Sequence, residues 1–129
     1  MRIFAHRWKM IELDEDIFLS DFRNRYTLRM VLVEIAEASA TLSLHILRNL
    51  LDVRRIEGYT RIFDKLVEHG VLSQELSEGM RRFIRLRNLI IHRYWEVDDI
   101  RIYREAKGSS LEIISRFLAE VEDYVSHRA

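Results

Sequence analysis

The 129 residues contain no cysteine and no proline, and glycine occurs four times. Without cysteine there are no disulfides, thiolate zinc sites or cysteine nucleophiles. Redox then places no constraint on the compartment, and cytoplasm is the default expectation. All-β chains depend on proline and glycine for their many turns, so their scarcity points to long helices joined by few, short loops. Neither sign of charge is in excess, since 21 basic and 21 acidic residues cancel. A dedicated duplex-DNA binder is usually more basic, so any nucleic-acid contact has to come from a local patch. No unbroken apolar run is long enough to suggest a transmembrane span or a membrane partner. The most apolar region, Met30 to Leu51, is interrupted by Glu34, Glu37, His45 and Arg48. No targeting segment is expected either, because no apolar stretch follows Arg2, His6, Arg7 and Lys9. No two histidines have metal-ligand spacing with acids close by, and no glycine loop is built to cradle phosphate, so neither metal nor cofactor is expected.

What remains is 48% hydrophobic and 33% charged, a globular balance of a size that fits one domain over residues 1–129. No linker, repeat or low-complexity tract divides it. Residues Ile3 to Phe18 have weak helical periodicity and contain the run Glu12, Asp14, Glu15, Asp16, which reads as a solvated end or loop. From Phe22 to Leu51 the pattern is stronger: Leu28, Val31, Leu32, Ile35, Ser39, Leu42, Ile46 and Leu50 recur at three- and four-residue steps. Asp21 or Asn24 is placed to cap this helix, which would span about 45 Å. A third helix is predicted over Tyr59 to His69, ended by Gly70. A fourth, capped by Ser73, is predicted to Ile91. His92 to Val97 should form its end and a turn. Asp98 or Asp99 then caps a last helix ending near His127, which Gly108-Ser109-Ser110 kinks or splits. Five helices with short connections make an all-α, up-and-down bundle the simplest architecture.

Chemistry concentrates in one place. Arg81 to Arg93 reads RRFIRLRNLIIHR, and no acid occurs between Glu78 and Glu96. Guanidinium groups stay ionised and match phosphate geometry, so Arg81, Arg82, Arg85 and Arg93 form a candidate phosphate-binding patch. The plain alternative is a solvated basic helix face. His45, on a largely apolar helix face, reads as a core histidine, while His6, His69 and His127 read as surface residues. Trp8 and Trp95 read as packing anchors, and Ser109-Ser110 as cap or loop.

The string Arg87-Asn88-Leu89-Ile90-Ile91-His92-Arg93-Tyr94 resembles the signature of the HEPN superfamily, an arginine followed four to six residues later by a histidine. In the HepT-like branch the pattern is arginine, four residues, histidine, one residue, tyrosine. Arg87, His92 and Tyr94 match all three positions, and Asn88 matches the polar residue that commonly follows the arginine. The resemblance runs from about Arg25 to Tyr124. It takes in Arg25-Tyr26 and Glu37 on the second helix, Gly58-Tyr59, LVEHGVL at Leu66 to Leu72, and WEVD at Trp95 to Asp98. One departure is Thr41, where the family often has an aspartate.

The resemblance implies a homodimer with metal-independent RNA endonuclease activity on tRNA or mRNA. Arg87 and His92 would be catalytic, with Asn88 supporting, and Arg81, Arg82, Arg85 and Arg93 would be an RNA-binding patch. It also implies a type VII-like toxin–antitoxin pair, in which a minimal nucleotidyltransferase antitoxin adenylylates Tyr94. The alternative within the family is a non-enzymatic HEPN module that partners a nucleotidyltransferase. The spacing poses a physical problem in its own right. Five residues on an ideal helix leave an offset of about 140°, so Arg87 and His92 diverge. Either the helix loosens near His92, or a twofold axis brings two copies of the motif together. The resemblance implies the second.

Overall fold

A computed structural model describes residues 8–128. The expected start of the first helix at Ile3 lies outside the described residues, as do His6 and the side chain of Trp8. In place of one helix to Phe18, a 3₁₀ turn Trp8–Glu12 precedes a short helix, α1, Glu15–Ser20. The break falls at Asp14, whose extended backbone (φ −61°, ψ 152°) starts the new helix. Of the acidic run, Glu12, Asp14 and Asp16 are exposed. Glu15 turns back to Arg104 at 2.7 Å.

Asp21 caps the next helix, α2 (Phe22–His45), its carboxylate accepting the Arg23 backbone N–H at 2.9 Å. The helix continues as a π-helical turn, Ile46–Leu50. Leu28, Val31, Leu32, Ile35, Ser39 and Ile46 of the predicted stripe are buried, while Leu50 at its end is exposed. By length and composition this helix could cross a membrane, but over half of its apolar stretch is buried inside the bundle. His45 corrects the sequence reading. It is exposed, and its Nδ1 lies 3.0 Å from the Asn49 side-chain nitrogen. The small residues Ser39, Ala40 and Ser43 occupy the buried face instead.

Helix α3 (Tyr59–Glu68) ends as the glycine predicts. Gly70 takes φ +75°, and the following Val71 N–H returns to the Leu66 carbonyl at 2.9 Å. Ser73 caps α4 (Gln74–His92) by accepting the Leu76 N–H at 3.3 Å. A 3₁₀ turn, Tyr94–Glu96, follows. Asp98 then caps α5 (Asp99–Glu105), accepting the N–H groups of Ile100 and Arg101. The chain neither breaks nor stops at Gly108. A second π-helical turn, Ala106–Ser110, leads into α6 (Leu111–Arg128). The described residues contain no strand, and the fold is an all-α bundle.

Helix α4 packs against α2, α3 and α6. Between them lie Phe63, Leu66, Leu76, Met80 and Phe117, all fully buried. Gly79 sits where α4 meets α6. A Cβ built there would lie 2.9 Å from Ile113 Cγ2, so the glycine is a close-approach position, which explains its place inside a helix. Gly79→Ala gains about 1 kcal/mol of helix propensity, but overpacking against a β-branched neighbour costs about 1–3 kcal/mol. The expected outcome is a lowered denaturation midpoint, measured by chemical unfolding. In an Ile113→Ala background, which lacks that Cγ2, Gly79→Ala should cost much less.

Candidate active site

Helix α4 remains α-helical through His92, and the backbone departs only at Arg93 (φ −141°, ψ 50°). The loosening therefore comes too late to turn His92 back towards Arg87. Within one copy the offset of about 140° persists. Arg87 accordingly has polar partners other than His92. Its Nη2 donates to Glu37 Oε1 on α2 at 3.2 Å and its Nη1 to Asn88 Oδ1 at 3.1 Å. The guanidinium carbon lies 5.6 Å from the Tyr59 ring centroid, so the cation also rests on an aromatic face. Carboxylate, amide and ring hold the guanidinium plane from three sides, and about a fifth of the side chain stays open to solvent. Thr41, one turn beyond Glu37, is exposed.

His92 is exposed on the last turn of α4. Tyr94 starts the 3₁₀ turn with 62% of its surface exposed, its ring edge-on to Trp95 at 5.3 Å. Trp95 is 67% exposed, which corrects its reading as a packing anchor: the turn holds it outside the bundle. The four patch arginines separate. Arg81 turns to Asp64 at 3.3 Å and is largely covered, and Arg93 lies 3.7 Å from Glu96. Arg82 and Arg85 are exposed on the wall of a cleft of about 750 Å³ between α4 and the α5–α6 junction, with Phe83, Leu86 and Ile102 among its apolar lining. Among the described residues no three His, Asp or Glu side chains converge as metal ligands would.

Two features were not anticipated from the sequence. One is the Tyr59 ring on Arg87, a contact made across the α3–α4 packing rather than by local spacing. The other is a pair 70 residues apart, Arg29 on α2 and Asp99 on α5. Arg29 donates to the two Asp99 carboxylate oxygens at 2.7 and 2.9 Å, and to the Tyr94 carbonyl at 3.1 Å. The only local signal is two arginines, Arg25 and Arg29, one turn apart at the start of an otherwise apolar helix.

An all-helical bundle that carries Arg87, His92 and Tyr94 at the end of one long helix has the architecture and motif of a HEPN protein. Residues 4–121 match the family described as Ribonuclease HepT-like, and the chain belongs to that family. A protein of Archaeoglobus fulgidus whose name describes it as a candidate RNase is 34% identical over 73 residues, 54% of this chain and 52% of that protein. The chain thus spans about half the length of that curated relative. Among solved structures, a toxin–antitoxin crystallised with AMP-PNP superposes with a TM-score of 0.84 at 20% identity, covering 95% of this chain and 91% of that one. A tri-AMPylated Shewanella oneidensis HEPN toxin, solved with its MNT antitoxin, gives 0.81 at 21% identity, covering 93% and 91%. YutE of Bacillus subtilis, a cytosolic protein of unknown function, gives 0.80 at 17%, covering 98% and 85%. At these identities the likeness establishes the fold.

Proposed function

We propose that this chain is a metal-independent RNA endonuclease that works as a homodimer, the toxin of a type VII-like toxin–antitoxin pair in the cytoplasm. The observation that carries the reading is Arg87, fixed by Glu37, Asn88 and Tyr59 on a helix that stays regular to an exposed His92. Family membership supports the reaction class. Because the helix keeps the two side chains apart, one copy is a poor site for a single phosphate. Two copies related by a twofold axis supply two guanidinium groups and two imidazoles around one cleft.

The chemistry then balances without a further reagent. One His92 imidazole takes the proton of a ribose 2′-hydroxyl as its oxygen attacks the adjacent phosphorus. The bond from phosphorus to the 5′-oxygen breaks, and the partner's His92, protonated, gives that oxygen its proton. Arg87 stabilises charge on the non-bridging oxygens and stays protonated throughout. Asn88 orients Arg87, while Arg82 and Arg85, with Arg81 and Arg93 at the edges, attract the flanking phosphates of tRNA or mRNA. Surface supports the dimer too: Tyr26, Met30, Ile91, Tyr94 and Trp95 are large apolar side chains left exposed on α2, the end of α4 and the turn that follows it. A second copy would cover part of this surface.

Tyr94 is the acceptor of adenylylation by a minimal nucleotidyltransferase antitoxin. Its exposure gives a transferase access, and an added nucleoside phosphate brings negative charge and bulk beside His92 that repel RNA. Purified protein should cleave cellular RNA or tRNA, and His92→Ala should not. Equal cleavage by both, or none by either, would count against the ribonuclease reading. Co-expression with the antitoxin should add one or more AMP masses to the intact protein, mapped by fragmentation to Tyr94. A modification confined to other residues would remove this tyrosine from the proposal.

A further inference from the structure

The turn that carries Tyr94 is held from outside by a pair that no part of the motif includes. Arg29 and Asp99 meet through two hydrogen bonds, with only 14% and 17% of their side chains exposed. The third donor direction of the same guanidinium points to the Tyr94 carbonyl at 3.1 Å. Arg25 stands behind them, its Nε 3.8 Å from Asp99 and its Nη1 donating to the Leu19 carbonyl at 2.7 Å. The Asp99 hydrogen bonds hold the Arg29 cation more strongly protonated than usual, against the opposing effect of burial. A planar fork that binds a carboxylate with one edge is restricted in rotation, so its remaining donor aims in a fixed direction.

We propose that Arg29, oriented by Asp99, is a positioning residue that fixes the Tyr94–Glu96 turn and, through it, His92 and the Tyr94 hydroxyl. The inference rests on the ribonuclease reading for its effect on rate, but its effect on the turn is independent of that reading. The pair is not what docks α5. That helix is anchored by the buried Ile102 and by Tyr103, which stacks on Phe18 at 4.5 Å and donates to the Leu13 carbonyl, and by Arg104 on Glu15. Nor does it cap α5, since Asp98 does so. What Arg29 adds is a fixed side-chain donor, from another helix, to the carbonyl of the first residue of the turn, which otherwise accepts only the local Val97 N–H at 3.3 Å. Backbone displacement there moves reacting groups by fractions of an ångström to an ångström, and an error of that size costs up to about 100-fold in rate.

The test compares Arg29→Lys, Asp99→Asn and, as a control, Asp98→Ala, which removes a cap at the same junction. Arg29→Lys keeps a cation beside Asp99 but loses the fork. Hydrogen exchange by mass spectrometry over residues 92–98 should rise in Arg29→Lys and Asp99→Asn, with α5 and the core unchanged. In the RNA assay, kcat should fall about 10- to 100-fold with KM within about twofold. Asp98→Ala should lower the thermal midpoint at least as much while losing far less kcat. Unchanged exchange over 92–98 in Arg29→Lys would overturn the positioning role whether or not the protein cleaves RNA. If exchange rises but wild-type protein cleaves no RNA, the ribonuclease reading fails and the control of the turn stands. A loss of kcat that merely tracks thermal midpoint across all three variants would also overturn it.

Discussion

His92→Ala is expected to reduce RNA cleavage by about 10²- to 10⁴-fold, the range for removing a general acid or base. The expected loss lies towards the upper end, because in the proposed dimer one substitution removes both proton carriers. Folding should hardly change. The side chain is exposed on the last turn of α4, and its removal opens no cavity, so stability should shift by less than about 0.5 kcal/mol. The dissociation of activity from stability is the informative result. Gel or fluorescence assays of cleavage, run beside thermal denaturation, would show it. Growth arrest on expression, lost with His92→Ala and with Arg87→Ala, is the cellular counterpart. Arg87→Ala should be the less clean variant, since it also leaves Glu37 without its partner and uncovers the Tyr59 ring.

The largest expected loss of stability lies far from this site. Phe117 on α6 is fully buried and meets Phe63 of α3 edge-to-face, with centroids 6.0 Å apart and planes at 78°. Phe117→Ala removes a large apolar side chain and leaves a cavity between α3, α4 and α6, at a cost of about 3–5 kcal/mol. Against a typical total of about 5–15 kcal/mol, that should lower the thermal midpoint by about 10–20 °C for a chain of this size. Calorimetry or circular dichroism would measure it. Ile17→Ala, on an exposed position of α1, is the matched surface control and should stay within about 0.5 kcal/mol. A Phe117→Ala protein as stable as this control would mean that the bundle repacks around the gap.

Several elements were legible because their causes are local. Asp21, Ser73 and Asp98 cap helices by bonding N–H groups two or three residues away, and Gly70 ends one by adopting a positive φ. Such signals need no knowledge of the fold. The periodic stripe of α2 was legible for the same reason. His45 and Trp95 were misread because burial is decided by where neighbouring elements end. His45 lies just before α2 widens into its π-helical turn, and Trp95 lies on a turn outside the bundle. In the candidate site, Arg87, Asn88, His92 and Tyr94 could be named from their spacing and the family pattern. Their supports could not: Arg87 on Glu37 spans 50 residues and Arg29 on Asp99 spans 70. Nothing local to Asp99 distinguishes it from Asp98, although one clamps the turn and the other caps a helix.

The π-helical turn at Ala106–Ser110 divides the labour of the last third of the chain. A wider turn resets the angular phase of the residues after it relative to those before it. Asp99 and Tyr103 can therefore face α2 and α1, while Ile114, Phe117 and Val121 face the core. Shortening this turn by one residue would swing everything downstream by about 100° around the helix axis, turning Phe117 out of its slot against Phe63. The junction thus works as a phase adjuster, letting the half of the helix that braces Tyr94 and the half that seals the bundle each keep its own register.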